Sequence, residues 1–376
     1  MRNRRLTLHN FRNHSETSVE WASHLNVITG PNGAGKTNLI DAVHYLCMSR
    51  SFVSTSDRYV VGEEESGFLI RGDFEGEIRS RFSVACSYSR GEGKRIFVND
   101  SPLEKHSDLI GMVPVVVLSP EDRRLTAEGP AERRAFLDGF ISQISISYLK
   151  DLISYRRVRK QRNRLLQEYH GPERELRLLL EPWDSQLVEA GSRIVATRTL
   201  VLNRFRAYLE TQYRSFSGME LKPDLSYQTF CEPDGDPAVV QEKYRESLDR
   251  EFEKEVEREQ TLIGPHRDEI VFYLGGMELR NYGSQGQHRL FSVALKLAQL
   301  FYYSDELEDL PVMLLDDVFG NLDTSKTDVL LQTLLNHPGQ SFVTSATEDL
   351  LRGLNLASSL ENRHFRVLNG NVDLIH

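Results

Sequence analysis

Short runs of apolar and β-branched residues, separated by turns, fill roughly the first third of the chain. Runs of this kind, bounded by Gly, Pro, Asn, Asp or Ser, predict β-strands. The predicted strands cover residues 4–8, 25–29, 68–74, 79–88, 95–98 and 113–118. One helical pattern interrupts them, starting at Lys36 and ending near Cys47. This region is therefore predicted to be β-rich around a single helix.

Helical spacing of apolar residues dominates the middle of the chain, from about Pro130 to Glu259. Proline and glycine punctuate helices, so breaks are predicted at Gly171–Pro172, at Pro182 and in the loop 231–237. Strand patterns return afterwards at residues 269–274, 312–315, 341–344 and 365–368, with a helix over about 285–303. The two ends of the chain are therefore predicted to form one α/β domain that carries a helical insert. The predicted boundaries are 1–125, 126–262 and 263–376.

The composition is that of an ordinary globular protein of two or three domains, with 376 residues, 39% hydrophobic and 27% charged. The net charge of −9 gives no overall attraction to nucleic acid, so such binding would depend on local basic faces. No stretch of about 18 apolar residues predicts a membrane span, and the basic N-terminus has no apolar run behind it. The three cysteines lie far apart without a CxxC pattern, which fits a reducing compartment. The sequence thus predicts a cytoplasmic protein with no membrane partner.

A glycine-rich loop lies between the apolar run 25–29 and the first helix. It has the pattern GxxxxGKT and consists of Gly30, Pro31, Asn32, Gly33, Ala34, Gly35, Lys36 and Thr37. Its glycines let successive N–H groups and the helix N-terminus face an anionic oxygen. Lys36 is predicted to reach the β- and γ-phosphates of ATP, and the Thr37 hydroxyl to ligate Mg²⁺. The order of strand, loop and helix argues against a chance glycine turn.

The apolar strand 312–315 ends in two carboxylates, Asp316 and Asp317. Asp316 is predicted to hold Mg²⁺ through water, and Asp317 to orient or deprotonate the attacking water. Taken alone, the pattern also fits a core strand that ends at a solvated turn. Because Asp317 is one methylene shorter than the Glu usual in transporter ATPases, slow ATP turnover is predicted.

The segment Tyr282–Gln287 precedes an amphipathic helix and resembles the signature motif of ABC ATPases. Its motif residues are Ser284, Gln285, Gly286 and Gln287. The Ser284 hydroxyl and the first N–H groups of the helix form an anion cradle that has no phosphate of its own within one chain. A homodimer that shares ATP between subunits is therefore predicted. The alternative interpretation is a serine that only caps the helix.

The segment Phe319–Asp323 follows the two carboxylates and resembles the D-loop that runs along an ABC dimer interface. Asp323 also stands where it would cap the helix predicted at 324–335, and the two roles are compatible. Residues 342–346, after the last core strand, contain no histidine in the position of a transporter switch residue. No glutamine near Ser119 stands out as a Q-loop, so neither site is assigned.

Five further motifs extend the pattern nearly from end to end. They are Leu8–Asn13, Ser119–Asp122, Gly129–Asp138, Tyr155–Asn163 and Gly264–Asp268. In this order they resemble the RecF family, relatives of the SMC proteins that lack long coiled coils and act in bacterial recombinational repair. The resemblance implies an ABC-type ATPase head with a P-loop sheet, an N-terminal antiparallel β part, an inserted helical lobe and no long coiled coil. It also implies a weak ATPase that dimerises on ATP, binds double-stranded or gapped DNA, and works with RecR and RecO to direct RecA onto gaps.

A basic run over residues 156–164 is the candidate for DNA contact. Its predicted contact residues are Arg156, Arg157, Lys160 and Arg164, three of which repeat every four residues on one helical face. The other interpretation is a solvated face that pairs with local acids such as Glu168 and Glu173.

Two alternatives to a DNA-binding ATPase follow from the same motifs. The first is the nucleotide-binding subunit of a membrane transporter, against which stand the arginine-rich insert and the missing switch histidine. The second is an SMC-like bridging protein, which needs long coiled-coil arms that the sequence does not predict.

Overall fold

The computed structural model describes residues 1–348 and 361–376, which form two compact units. The first unit comprises residues 1–122 and 296–376, and the second comprises residues 123–295. The first division is close to the predicted 125/126 boundary, whereas the second falls at 295/296 and not at 262/263. The reason is that the strand at 269–274 pairs with a strand inside the insert.

An antiparallel sheet forms the N-terminal part of the first unit. Its strands are β1 (Arg2–Phe11), β2 (His14–Glu20), β4 (Gly67–Glu75), β5 (Phe82–Ser89), β6 (Gly93–Val98) and β7 (Ser101–Pro102), in the order β2-β1-β4-β5-β6-β7. The inward residues of β1, such as Leu6 and Leu8, are fully buried. The structure thus contains the predicted antiparallel β part, with β2 as an additional edge strand.

A second sheet in the same unit is parallel except at one edge. Its strands are β3 (Leu25–Thr29), β8 (Val115–Leu118), β12 (Val312–Leu315), β13 (Ser341–Ser345), β14 (Asn362–Leu368) and β15 (Asn371–Leu374), in the order β15-β14-β3-β13-β12-β8. Parallel strands end at the same edge of a sheet, where α/β proteins bind ligands. The loop after β3 and the carboxylates after β12 therefore lie at one edge, separated by β13.

Helix α1 (Lys36–Met48) packs against both sheets of the first unit. It is buried on almost every side, since apolar residues such as Leu39, Val43 and Leu46 have no exposed surface. Its carboxylate Asp41 is also fully buried and accepts hydrogen bonds from Arg12, Ser51 and the Phe52 amide at 2.7–2.9 Å. These contacts fix the helix that carries the phosphate loop. Helix α9 (Thr324–Asn336) belongs to the same unit.

The second unit is mostly helical, with a small antiparallel sheet. Its helices are α2 (Arg123–Ala127), α3 (Pro130–Ile144), α4 (Ile146–Glu168), α5 (Glu173–Ser217), α6 (Pro237–Glu257) and α7 (Leu279–Tyr282). Its sheet has the order β11-β10-β9, with β9 (Pro223–Gln228), β10 (Glu269–Leu274) and β11 (Met277–Glu278). Helix α8 (Gln285–Glu306) begins in this unit and ends in the first. The α/β head with an inserted helical lobe is confirmed.

Two predictions about the insert are wrong. Helix α5 continues through Pro182 without a break. Proline removes the bond to the carbonyl four residues earlier, but that residue, Leu178, is 64% exposed, so water can satisfy the carbonyl. The other error is β9, a strand in a region predicted to be helical.

Among the described residues, no helix is long and apolar enough to cross a membrane.

Candidate nucleotide site

The loop between β3 and α1 has the backbone geometry that a phosphate cradle needs. Gly30, Gly33 and Gly35 have φ values of 147°, 80° and 114°, which side chains rarely tolerate. A Cβ on Gly30 would lie 2.2 Å from the Val367 carbonyl oxygen. Glycine is therefore required at position 30 by both conformation and the close approach of β14.

Lys36 begins α1 and folds back over the loop. Its Nζ donates to the carbonyl oxygens of Gly30 at 2.8 Å and Pro31 at 3.0 Å. Burial lowers the pKa of the Lys36 ammonium, and the carboxylates of Asp317 and Asp316 oppose that shift. A cation thus lies at the mouth of the loop, within reach of any anion bound there.

Thr37 and Asp316 meet across the site, as the sequence predicts. The Thr37 hydroxyl donates to Asp316 Oδ1 at 2.7 Å, and the Thr344 hydroxyl donates to the same oxygen at 2.9 Å. Burial raises the pKa of Asp316, with Asp317 adding to the shift and the two hydroxyls opposing it. A hydroxyl and a carboxylate side by side are hard oxygen ligands of the kind Mg²⁺ prefers. No cluster of three or more His, Cys, Asp or Glu side chains suited to a metal occurs in the part of the chain that the structure describes.

Asp317 lies beside the loop with an exposed carboxylate and a left-handed backbone, φ 46°. Its amide donates to the Thr344 hydroxyl at 2.9 Å. With the loop residues it lines a cavity of about 250 Å³. The lining residues are Asn32, Gly33, Gly35, Lys36, Thr37, Asn38 and Asp317. The structure thus brings the carboxylate that is predicted to be catalytic to the cavity beside the loop, and Thr344 accepts a hydrogen bond from the backbone amide of that residue.

Asn13 and His14 form hydrogen bonds with the backbone of the loop, which the sequence does not predict. Asn13 donates to the Ala34 carbonyl at 2.9 Å, and His14 Nε2 lies 3.1 Å from the Gly35 carbonyl oxygen. His14 Nδ1 lies 2.9 Å from the carbonyl oxygen of Gly370, whose own amide donates to Ala34. Burial lowers the pKa of His14. The only signal in the sequence was the position of Asn13 at the end of the Leu8–Asn13 motif.

The signature segment lies in the second unit, at the start of α8. The Gln287 amide donates to Ser284 Oγ at 3.2 Å, and the Ser284 amide donates to Gln287 Oε1 at 2.8 Å. This reciprocal pair is a capping box, so the capping interpretation holds for Ser284. Ser284, Gln285 and Gly286 are nevertheless exposed. A Cβ on Gly286 would meet only Ser284 Oγ, at 3.9 Å, so packing within the chain does not require glycine there.

Asp323, the predicted D-loop residue, caps α9. Its Oδ1 accepts from the Ser325 hydroxyl at 2.7 Å and from the Lys326 amide at 2.9 Å. These two hydrogen bonds lower the pKa of Asp323, and the bond from Ser325 has the larger effect. The capping role is therefore observed, and the role at a dimer interface stays a prediction.

The basic run lies on α4 and divides into different environments. Arg156, Arg157, Lys160 and Arg164 are exposed. Arg162, in the same run, has no exposed surface and pairs with Asp184 at 2.5 Å and Glu255 at 2.6 Å. The run is thus partly a structural element of the insert and partly an exposed basic face.

Solved structures with the same fold identify the class of protein. A recombination mediator protein RecF solved with ATP covers 100% of this chain with a TM-score of 0.90 and 29% identity. An SMC head bound to the C-winged helix domain of ScpA matches at a TM-score of 0.57 and 12% identity, a likeness of fold alone. The protein therefore has the ABC-type ATPase head fold that RecF and SMC proteins share.

Sequence comparison identifies the family. The family model of the RecF/RecN/SMC N terminal domain matches residues 3–365 of this chain. The DNA replication and repair protein RecF of Salinibacter ruber is 44% identical over 348 residues, 90% of this chain and 84% of that protein. Its counterpart in Chloroherpeton thalassium is 38% identical over 350 residues, 91% of this chain and 94% of that protein. The chain belongs to the RecF family of DNA replication and repair proteins.

Proposed function

We propose that the protein is an ATP-gated DNA-binding protein that dimerises on ATP and acts in DNA replication and recombinational repair. The observation that carries this proposal is the cavity bounded by Lys36, Thr37 and Asp317, with Asp316 bonded to Thr37 at 2.7 Å. A solved family member is described with ATP in the RecFOR pathway. Membership in a repair family favours this function over that of a transporter subunit.

ATP binding would use groups already in position. The loop amides and the N-terminus of α1 would face the phosphates, and Lys36 would exchange its carbonyl contacts for phosphate oxygens. Thr37 and Asp316 would hold Mg²⁺, which neutralises charge on the phosphates when bound. Asp317, exposed at the cavity, would orient the attacking water and accept its proton.

Dimerisation would complete the site from a second copy of the chain. Ser284 and Gly286 are exposed. The space beside Gly286 is open, so a phosphate could approach the backbone there. ATP that binds only the closed dimer would stabilise it by mass action, and hydrolysis would release it. The D-loop residue Asp323 would lie along the same interface.

DNA would bind exposed basic residues of α4, namely Arg156, Lys160 and Arg164. Mediator proteins of the RecR and RecO type would help to direct RecA onto gaps in that DNA. The RecFOR pathway named for a solved relative supports the partners of the RecR and RecO type. The cytoplasm, where repair proteins meet DNA in bacteria, is the proposed location.

The decisive experiment measures affinity for duplex and gapped DNA with and without ATP over a salt series. ATP is expected to tighten binding, and the logarithm of the affinity is expected to fall linearly with the logarithm of salt concentration because phosphate contacts release counterions. Binding that is equal with and without ATP, or absent for every DNA tested, would contradict the proposal.

Asp317→Asn is expected to reduce ATP hydrolysis by about 10²- to 10⁴-fold, the usual contribution of a general base. The hydrogen bond from the backbone amide of residue 317 to the Thr344 hydroxyl is retained, so ATP binding should persist. Because hydrolysis is slower, the ATP-dependent dimer should live longer. Phosphate release and the decay of the dimer in light scattering measure the two effects. Asp328→Asn, on the exposed face of α9, is the matched control. An unchanged hydrolysis rate in Asp317→Asn would remove that residue from the proposed mechanism.

A further inference from the structure

A groove of about 910 Å³ runs along α4 within the second unit. Basic side chains from α3, α4 and α5 dominate its lining. They are Arg134, Arg156, Arg159, Lys160, Arg164 and Arg198, against the single carboxylate of Asp138. The carboxylates of Glu168 and Asp268 pair with Arg164 and Arg198. The groove still keeps a net positive charge, although the whole chain carries a net charge of −9.

Three motifs with no part in the nucleotide site converge on this groove. Gly129–Asp138 contributes Arg134, Tyr155–Asn163 contributes Arg159, and Gly264–Asp268 contributes Pro265 and His266. The third of these segments thus lines the same surface as the first two, although it lies about a hundred residues further along the chain. Their convergence indicates a shared role that the ATPase chemistry does not supply.

The floor of the groove is a rigid network built around Arg198, which is only 1% exposed. Its guanidinium donates to Asp138 at 2.7 Å, to Asp268 at 2.6 Å and to the Pro265 carbonyl at 2.8 Å. The second oxygen of Asp138 accepts from Arg156 at 2.9 Å. The carboxylates at the floor are therefore already engaged and do not neutralise the other cations.

Three cations of the groove remain without an acidic partner. Within residues 1–348 and 361–376, no carboxylate lies within the 4.0 Å ion-pair distance of Arg134, Arg159 or Lys160. Arg134 donates only to the Asp268 carbonyl, at 2.7 Å. Burial and the charge of Arg198 lower the pKa of Arg134, and the carboxylates of Glu269, Asp268 and Asp138 partly oppose that shift. An anion in the groove would relieve this accumulated positive charge.

We propose that this groove holds the phosphodiester backbone of DNA, with Arg134, Arg159 and Lys160 as phosphate contacts in addition to Arg156 and Arg164. The proposal rests on the DNA-binding function proposed above and assigns it to a defined surface. Arg157 is exposed on the same helix but does not line the groove, so it is not a contact.

The spacing of the charges suits the backbone of a nucleic acid. Arg156, Lys160 and Arg164 are four residues apart, which is about 6 Å of helical rise per step and about 12 Å in all. One DNA strand presents a charge about every 3.4 Å along its axis, so the row would meet three or four phosphates. The guanidinium groups of Arg134 and Arg159 can each bind a phosphate through two N–H donors.

The test compares single glutamine substitutions at four positions of the full-length protein. Arg134→Gln, Arg159→Gln and Lys160→Gln remove charge from the groove, and Arg157→Gln removes the same charge from α4 outside it. Fluorescence anisotropy with a labelled gapped duplex, in the presence of ATP, gives the affinity over a salt series. Each groove variant is expected to bind roughly three- to tenfold more weakly, with a log–log salt slope smaller by about 0.9 per lost phosphate contact. Arg157→Gln should keep the wild-type slope and stay within about twofold of its affinity.

Three other outcomes are distinguishable. If wild-type protein binds no DNA, the proposed function fails. If wild-type protein binds but all four variants lose affinity equally, or none does, the groove assignment is overturned while the DNA-binding function stands. If the groove variants keep their DNA affinity but lose binding to a labelled polyglutamate peptide, the groove belongs to an acidic protein segment and the proposal is overturned. Unchanged ATP affinity and thermal midpoint in each variant establish that the fold is intact.

Discussion

Replacing Lys36 with alanine is expected to weaken ATP binding by about 30- to 1,000-fold, from the loss of roughly 2–4 kcal/mol of charge-assisted contact to phosphate. The loss should be large because the ammonium lies over the loop, where burial lowers its pKa and reduces competition from water. ATP-dependent dimerisation should disappear with it. The chain without nucleotide should remain folded, since the side chain contacts only two carbonyls of its own loop.

Fluorescence of a labelled ATP analogue measures the affinity, and light scattering with and without ATP measures the dimer. Lys105→Ala removes an exposed lysine from the same unit and is the matched control. If the Lys36→Ala protein still dimerises at the ATP concentrations at which the wild-type protein does, the loop is not the trigger of assembly.

Replacing Ser284 with arginine is expected to separate ATP binding from dimerisation. The phosphate loop lies in the first unit and Ser284 in the second, so ATP affinity of the monomer should stay close to wild type. Arginine at position 284, which is exposed and two residues before Gly286, would fill the space that a phosphate bound to the partner subunit needs. The dimer should therefore be lost. Loss of the capping box costs about 1 kcal/mol, too little to unfold the chain.

The same two assays distinguish this variant from Lys36→Ala. Asn203→Arg, which adds a positive charge to an exposed position of α5, controls for net charge. The shared-site proposal fails if Ser284→Arg dimerises normally on ATP, or if its monomer no longer binds ATP while its thermal midpoint is unchanged.

Most of the fold follows from local pattern, and the strand that was missed, β2, has a physical reason. The predictions for β3, β10 and β12 match the structure to the residue because these strands are apolar runs bounded by turns. Strand β2 was missed because two of its inward residues, His14 and Thr17, are polar. Both are buried and find partners in the chain, His14 at Gly35 and Gly370 and Thr17 at Gly370, which no local pattern can reveal.

The nucleotide site was predictable where chemistry and spacing coincide. Lys36, Thr37, Asp316 and Asp317 meet as expected because their motifs follow parallel strands, β3 and β12, that end at the same edge of one sheet. Thr344 was not predictable in its role, since a threonine in a buried strand resembles ordinary β structure. It contacts both aspartates only because β13 lies between β3 and β12.

The basic run illustrates the limit of charge counting. Six of its nine residues are basic, yet Arg162 is buried with two carboxylates, and Arg157 lies outside the groove. Arg134 comes from another helix, and only the tertiary structure brings it to the groove. Tertiary structure, and not the local density of charge, decides which cations face the groove.

The position of β3 in its sheet has a consequence for synthesis on the ribosome. The strand that carries the phosphate loop pairs on one side with β13 and on the other with β14, more than 300 residues later in the chain. Until those strands emerge, β3 has no neighbours and the loop lacks the close contact with Val367. Such distant pairing makes folding slow. A nascent chain therefore holds the glycine-rich segment without its sheet neighbours, and nucleotide affinity is expected only after β13 and β14 have been synthesised.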